Sequence, residues 1–199
     1  MFHDPAQFPF IRAFQQRWRL LRQEYRELDA PVLALHRAGD IELYIETLLR
    51  ENGWTPSWQV DSEEPNQDWL TYGLSYKGLF PDGADRKLPA TTRLLRRTIG
   101  VHVAAFSLMK PTSFLLPHAH PELADKYLTF HLGLEIEPRR SYLCVDGEMR
   151  EERNGAAIVF DGSREHFAVN MGSADRVILY IEFDPRTAAV CDEPGLEVP

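Results

Sequence analysis

The chain has 199 residues, a formal net charge of −8 and 44% hydrophobic residues, which is enough to bury the core of one domain. Such an acidic chain repels phosphate backbones, so a nucleic-acid partner is not expected. The two cysteines, Cys144 and Cys191, lack metal-binding spacing and favour reduced thiols. Residues 1–10 lack the pattern of a secretory signal and no apolar stretch is long enough to span a bilayer, so we expect a cytoplasmic protein without a membrane partner.

The first third of the chain has the periodicity of helices. Apolar side chains recur there every three to four residues: Phe10, Phe14, Trp18 and Leu21. This spacing predicts an amphipathic helix from Pro9 to Leu28. A second helix is predicted over residues 40–52, because Gly53 is typical of the residue that follows a helix.

After Gly53 the segments become short, aromatic and β-branched, which indicates a β-sandwich or barrel. We expect a single domain over 1–199, with a helical N-terminal part (1–60), a β core (61–185) and a tail (186–199). The predicted strands are 69–80, 101–109, 127–136, 141–145, 156–160, 167–170 and 176–183. Loops are predicted at 63–68 and 81–89, a short helix at 88–100, and a loop-like tail at 192–199.

Histidines in two places have the chemistry of a metal site. His118 and His120 lie two residues apart between Pro117 and Pro121, and in an extended segment such positions share a face. His166 begins a predicted strand after a turn, and a jelly roll would bring it to the same open end of the barrel as His118 and His120. Neutral imidazole suits Fe(II), and two or three ligands on one side leave positions open for O₂ and a co-substrate.

Arg176 opens an apolar predicted strand, where a buried guanidinium requires a partner. One candidate is an internal carboxylate such as Asp161 or Glu182. The other is the carboxylate of a bound molecule, gripped through two hydrogen bonds. The spacing from His166 favours the bound molecule, because both side chains would then face one cavity.

Several segments, taken in order, are similar to a known family: SLMKP (107–111), PH (117–118), HLGL (131–134), GAAIVFDGSREH (155–166) and RVILYIEF (176–183). In this order they resemble the aspartyl/asparaginyl β-hydroxylases, a family that includes bacterial lipid A hydroxylases. The helical segment 8–28 and NQDW (66–69) are also similar to parts of that family.

The resemblance implies a mainly β fold, a double-stranded β-helix (jelly roll, cupin-like) with N-terminal helices packed outside. It also implies Fe(II), the co-substrate 2-oxoglutarate and O₂. His118 and His166 would be the iron ligands, and Arg176 would bind the distal carboxylate of 2-oxoglutarate. Ser107, His131 and Trp69 would line the co-substrate pocket. Thr129 would also belong to this pocket, where members acting on acidic peptide residues tend to carry an arginine.

Several alternatives stay open. His120 is an alternative or third iron ligand. The substrate is an aspartyl or asparaginyl side chain in a peptide, or a free or carrier-bound amino acid. Six arginines would make a basic rim for an acidic substrate: Arg93, Arg96, Arg97, Arg139, Arg140 and Arg164. Two other functions compete: a three-histidine cupin-type iron dioxygenase without 2-oxoglutarate, since residues 166–170 resemble the cupin His-x3-Asn signature, and a non-catalytic β-barrel binding module.

Overall fold

The computed structural model describes residues 1–33, 49–57 and 65–191. Most of the second predicted helix (40–52) and the tail segment 192–199 lie outside these ranges. The described end of that helix, residues 49–51, is helical.

Three complete α-helices lie within the described ranges, α1 (Phe10–Glu27), α2 (Ala84–Lys87) and α3 (Pro89–Arg96), together with short 3-10 helices at Pro5–Gln7 and Pro121–Leu123. The predicted first helix is confirmed to within one residue at each end. The predicted loop 81–89 contains α2. The predicted helix 88–100 ends earlier, at Arg96, because residues 98–99 instead form a strand that pairs near the C-terminal end of the described chain.

The described residues form thirteen strands, and every pairing between these strands is antiparallel. They are β1 (Phe2–His3), β2 (Trp54–Ser57), β3 (Asn66–Tyr76), β4 (Thr98–Ile99), β5 (Val101–Met109), β6 (Ser113–Phe114), β7 (Leu128–Glu135), β8 (Ser141–Val145), β9 (Glu148–Glu151), β10 (Ala157–Phe160), β11 (His166–Asn170), β12 (Arg176–Phe183) and β13 (Ala189–Val190).

The strands form a seven-stranded sheet in the order β1-β10-β7-β12-β5-β3-β2, a four-stranded sheet in the order β6-β11-β8-β9, and the small pair β13-β4. The expected mainly β double-stranded β-helix is therefore confirmed. The predicted loop 63–68 is wrong for residues 66–68, which begin β3 because their backbone pairs at the sheet edge. Strands β1 and β2 lie within the span 1–60 that was expected to be helical.

Apolar side chains pack in two layers. In the outer layer, Phe10, Phe14 and Leu21 of α1 pack with β7 and β12 residues such as Phe130 and Leu179. The inner layer includes strand residues from both sheets: Met109, Leu143, Val145, Ile158, Phe160 and Ala168. Strand alternation explains the division, since successive side chains of β12 face opposite sides of the sheet. Arg176 and Tyr180 consequently face inward, beside the cavity described below.

Candidate metal centre

The three histidines meet at one point although they come from two parts of the chain. His166 is the first residue of β11, and the segment that contains His118 runs antiparallel to it through a pair of backbone hydrogen bonds of 3.0 and 2.8 Å. The His120 backbone N–H donates to the Gly162 carbonyl at 2.9 Å. One ring nitrogen of each histidine lies within 4.8 Å of the others, which is close enough for one metal ion.

Hydrogen bonds orient two of the rings in the same way. His118 Nδ1 lies 2.7 Å from the Leu116 carbonyl oxygen, and His166 Nδ1 lies 2.8 Å from the Arg164 carbonyl oxygen. When Nδ1–H donates to a carbonyl, Nε2 carries the lone pair that binds a metal. His120 differs, since its Nδ1 lies 3.3 Å from Oε1 of Glu122, whose side chain is 68% exposed.

Burial favours the neutral form of His166 and His120, which is the form that binds metals. Desolvation, with a smaller contribution from the neighbouring histidines, lowers the pKa of His166 to about 3. Desolvation and the proximity of His118 also lower the pKa of His120. Three imidazole nitrogens and no thiolate form a donor set that fits a first-row divalent metal such as Fe(II).

The histidine cluster lies on a cavity of about 200 Å³ between the two sheets. Its walls are mostly apolar, with Trp69, Leu115 and Leu143 among them. The indole N–H of Trp69 donates to the Ser107 hydroxyl at 3.0 Å, so these two predicted pocket residues are fixed against each other. Arg176 carries the only permanent charge among the described residues that line the cavity.

Arg176 has an internal partner that the sequence did not reveal. Its side chain is 2% exposed and forms two hydrogen bonds to Glu152, from Nε to Oε2 at 2.8 Å and from Nη2 to Oε1. The suggested internal partners were wrong: Asp161 accepts hydrogen bonds from Ser163, and Glu182 from Tyr180.

A close approach of two backbone segments puts Glu152 in this position. The segment after β9 bonds to β7 through Gly133, which accepts from the Gly155 N–H at 2.8 Å. A Cβ on Gly133 would lie 2.2 Å from the Arg153 carbonyl oxygen, so only glycine permits the contact. Glu152 thereby also reaches His131, with 3.2 Å between Oε1 and Nδ1.

Charges within this buried group are unequal. Burial raises the pKa of Glu152, but the charge of Arg176 and the hydrogen bonds from both partners outweigh it and hold the pKa at about 2. Desolvation lowers the pKa of His131, which is therefore neutral near pH 7. The group is an ion pair with a neutral imidazole beside it.

The other predicted residues do not line the cavity. Thr129 is buried on β7 opposite Glu182 of β12, one inward position beyond His131, and is not among the residues lining the cavity. None of the six arginines considered for a basic rim lines the cavity either. Asn170, the last residue of the cupin-like signature, instead donates to the carbonyls of Met109, Lys110 and Ala174 and so fixes the turn after β11.

No helix within the described ranges is long and apolar enough to cross a bilayer. Among solved structures, the chain is similar to a predicted oxalate decarboxylase from Thermotoga maritima, with a TM-score of 0.42 and 13% identity over 68% of this chain and 97% of that one. It is also similar to the Cnp3 cupin domain of Schizosaccharomyces pombe, with a TM-score of 0.40 and 8% identity over 64% of this chain and 73% of that one.

Curated relatives are hydroxylases by name. The ornithine lipid ester-linked acyl 2-hydroxylase of Rhizobium tropici is 24% identical over 91% of this chain and 59% of its own length. The aspartate beta-hydroxylase domain-containing protein 2 of Xenopus tropicalis is 34% identical over 70% of this chain and 39% of its own length. The chain thus spans less than two thirds of either relative. The family model for aspartyl/asparaginyl beta-hydroxylase matches residues 15–185, and the chain therefore belongs to this family.

Proposed function

We propose that the chain is an Fe(II)- and 2-oxoglutarate-dependent hydroxylase that acts on an unactivated C–H bond of an amino-acid side chain. The amino acid is an aspartyl or asparaginyl residue in a peptide, or a free or carrier-bound amino acid. The observation that carries the proposal is the cluster of three histidines on an apolar cavity, in a chain of a hydroxylase family.

In the proposed reaction, one oxygen atom of O₂ enters the substrate as a hydroxyl group and the other enters succinate. 2-Oxoglutarate loses CO₂ and supplies the two electrons that balance the reaction. The iron, when bound, supplies the O₂ chemistry, and the protein supplies position and a dry cavity.

Each group of residues has a role in this proposal. His118 and His166 hold the iron, because both present Nε2 and both are fixed by backbone carbonyls. His120 is the third or alternative ligand. Trp69 and Ser107 form one wall of the co-substrate pocket, and Arg176 with His131 forms its polar end. The apolar walls exclude water from the reacting carbon.

The cavity also bears on the substrate. The names of the two relatives place hydroxylation on an acyl chain in one and on an aspartate in the other. Here the cavity walls are apolar and the surface arginines lie elsewhere, so the lining favours the hydrocarbon part of a side chain. We propose that any acidic group of the substrate stays outside the cavity.

Anaerobic titration with Fe(II) and then 2-oxoglutarate tests the proposal. A visible charge-transfer absorption band should appear in the wild type and be lost in His166→Ala. His102→Ala is the matched control, because this histidine stacks on Tyr127 outside the cluster, at 4.2 Å between ring centroids, and should keep the band. A wild-type protein that binds iron but gives no band with 2-oxoglutarate contradicts the proposal.

A second function is favoured by one observation. All three histidines converge, and the guanidinium expected to hold 2-oxoglutarate is already paired with Glu152. A three-histidine iron dioxygenase without a 2-oxo acid fits both facts. Mass spectrometry separates the two functions, because only the first releases succinate in step with a product heavier by one oxygen atom.

A further inference from the structure

We propose that Glu152 is an internal competitor for the co-substrate's distal carboxylate, and so lowers the affinity of this site for 2-oxo acids that carry a second carboxylate. The inference rests on the proposed function, because it concerns the co-substrate of that same cavity. It identifies Glu152 as a specificity-determining residue: it disfavours 2-oxo acids with a second carboxylate relative to those with an uncharged chain.

Geometry is the first support. A guanidinium binds a carboxylate best when two parallel N–H groups meet its two oxygens. Arg176 already makes that arrangement with Glu152, through Nε and Nη2. Of the two residues, Arg176 is 1% and Glu152 2% exposed, so water does not weaken the pair. A second carboxylate must therefore displace Glu152 or approach the remaining N–H groups of Arg176.

Charge balance is the second support. Arg176 brings one positive charge, Glu152 cancels it, and the adjoining imidazole of His131 is neutral. A carboxylate that entered beside this group would leave one negative charge without a partner in a place that water barely reaches. Such a charge is strongly disfavoured. Displacement is also opposed, since Glu152 receives hydrogen bonds from both Arg176 and His131.

A 2-oxo acid with an uncharged chain avoids this conflict. Its keto-acid end requires only the metal centre, and its chain meets the apolar walls formed by side chains such as Leu115, Leu143 and Ala168. The matched pair of ligands is 2-oxoglutarate and 2-oxopentanoate, which have the same carbon chain and differ in the distal carboxylate alone.

The test is calorimetric titration of the anaerobic Fe(II)-loaded protein with each acid, in the wild type, in Glu152→Gln and in Glu151→Gln. The Glu151 control removes a neighbouring carboxylate that pairs with Arg153 at the surface. Glu152→Gln should tighten 2-oxoglutarate binding by about tenfold or more, because it removes a repulsion between two like charges in a desolvated site. The affinity for 2-oxopentanoate should stay within about twofold, and Glu151→Gln should change neither affinity.

Three results would overturn the inference. If Glu152→Gln binds 2-oxoglutarate no more tightly than the wild type, Glu152 is not a competitor, while the proposed function stands. If the gain is equal for both acids, the distal carboxylate is not the group concerned. If the iron-loaded wild type and variants bind neither acid, the proposed function fails as well.

If Glu152→Gln fails to fold, which the loss of its circular dichroism signal would show, a second variant still tests the inference. Glu152→Asp keeps the charge that balances Arg176 but shortens the side chain by one methylene. The shorter carboxylate should therefore hydrogen-bond to the guanidinium less strongly. Glu152→Asp should tighten 2-oxoglutarate binding by a few-fold and leave 2-oxopentanoate unchanged. Equal affinity for 2-oxoglutarate in Glu152→Asp and wild type would also count against the inference.

Discussion

Glu182 is an acidic residue whose surroundings favour its neutral form. It is half-buried on the inward face of β12, where its Oε1 accepts a hydrogen bond of 2.6 Å from the Tyr180 hydroxyl. Burial raises the pKa of Glu182 to about 7, and the nearby charge of Glu122 adds to the shift. A carboxyl group whose pKa is higher in the folded state than in the unfolded state makes folding less favourable as pH rises.

The first prediction follows from the sign of this shift. Below an unfolded pKa of about 4.5, both states hold the proton, and Glu182 imposes no penalty. Between that pH and about 7, only the unfolded state releases it, so the free energy of unfolding falls. Glu182→Gln should therefore be more stable than the wild type by about 2 kcal/mol at pH 8 and equal to it near pH 4.5.

Urea unfolding at both pH values measures the effect. Glu148→Gln is the control, because this carboxylate is 58% exposed and paired with Arg150 at the surface, and it should show no such difference between pH values. If the stability gain of Glu182→Gln were the same at pH 4.5 and pH 8, the ionisation of Glu182 would not be its source.

At the scale of elements, a carboxylate of one helix stabilises the start of another. Helix α3 begins with Pro89, which has no N–H, and its N-cap residue Leu88 provides no side-chain hydrogen bond. Glu24 of α1 supplies what is missing: its carboxylate accepts from the backbone N–H groups of Ala90 at 2.6 Å and Thr91 at 2.8 Å. The Thr91 hydroxyl donates to it as well, at 2.7 Å.

The second prediction concerns this contact between helices. Glu24 is 7% exposed and meets only donors, so Glu24→Gln both removes a charge favoured at a helix N-terminus and turns an amide NH₂ toward other donors. It should lower the free energy of unfolding by about 1–3 kcal/mol. Glu27→Gln is matched to it, being exposed on the same helix with Gln23 as its partner. A loss no larger than that of Glu27→Gln would show that the contact between α1 and α3 contributes little.

At the scale of the molecule, the strands with strong apolar content were the predictable part. Residues 101–109, 141–145 and 176–183 form strands with the predicted bounds, because each is a mostly buried run of apolar and β-branched residues. Strand β9 was not predicted, since EMRE has no apolar alternation and three of its four residues are exposed at a sheet edge. Its pairing with β8 is fixed by the hairpin, which composition does not reveal.

The histidine cluster was predictable and the partner of Arg176 was not. Two histidines at i and i+2 between prolines, and a third at a strand start, are local signals, and the structure brings all three together. Glu152 stands in the charged run MREER, which is typical of a solvated turn. Glu152 is buried because that segment approaches Gly133, and this contact depends on the register of distant strands.

The histidine cluster lies where the segment after β6 runs beside β11. His118 belongs to a segment after β6 that is half-exposed, and His166 belongs to β11. An ion bound by both would add to the backbone hydrogen bonds between this segment and β11, and would bind the folded state alone. Because ligands of that kind shift the unfolding equilibrium, iron at a hundredfold excess over its Kd should stabilise the fold by about 2.7 kcal/mol.

The third prediction is that anaerobic Fe(II) raises the Tm of the chelator-treated wild type, whereas His118→Ala shows little or no rise. The variant should keep a metal-free Tm close to that of the wild type, because His118 is only half-buried and its backbone hydrogen bonds to His166 do not depend on its ring. His102→Ala should retain the full rise. A Tm that is unaffected by Fe(II) in the wild type would mean that the three histidines do not hold the metal in the folded protein.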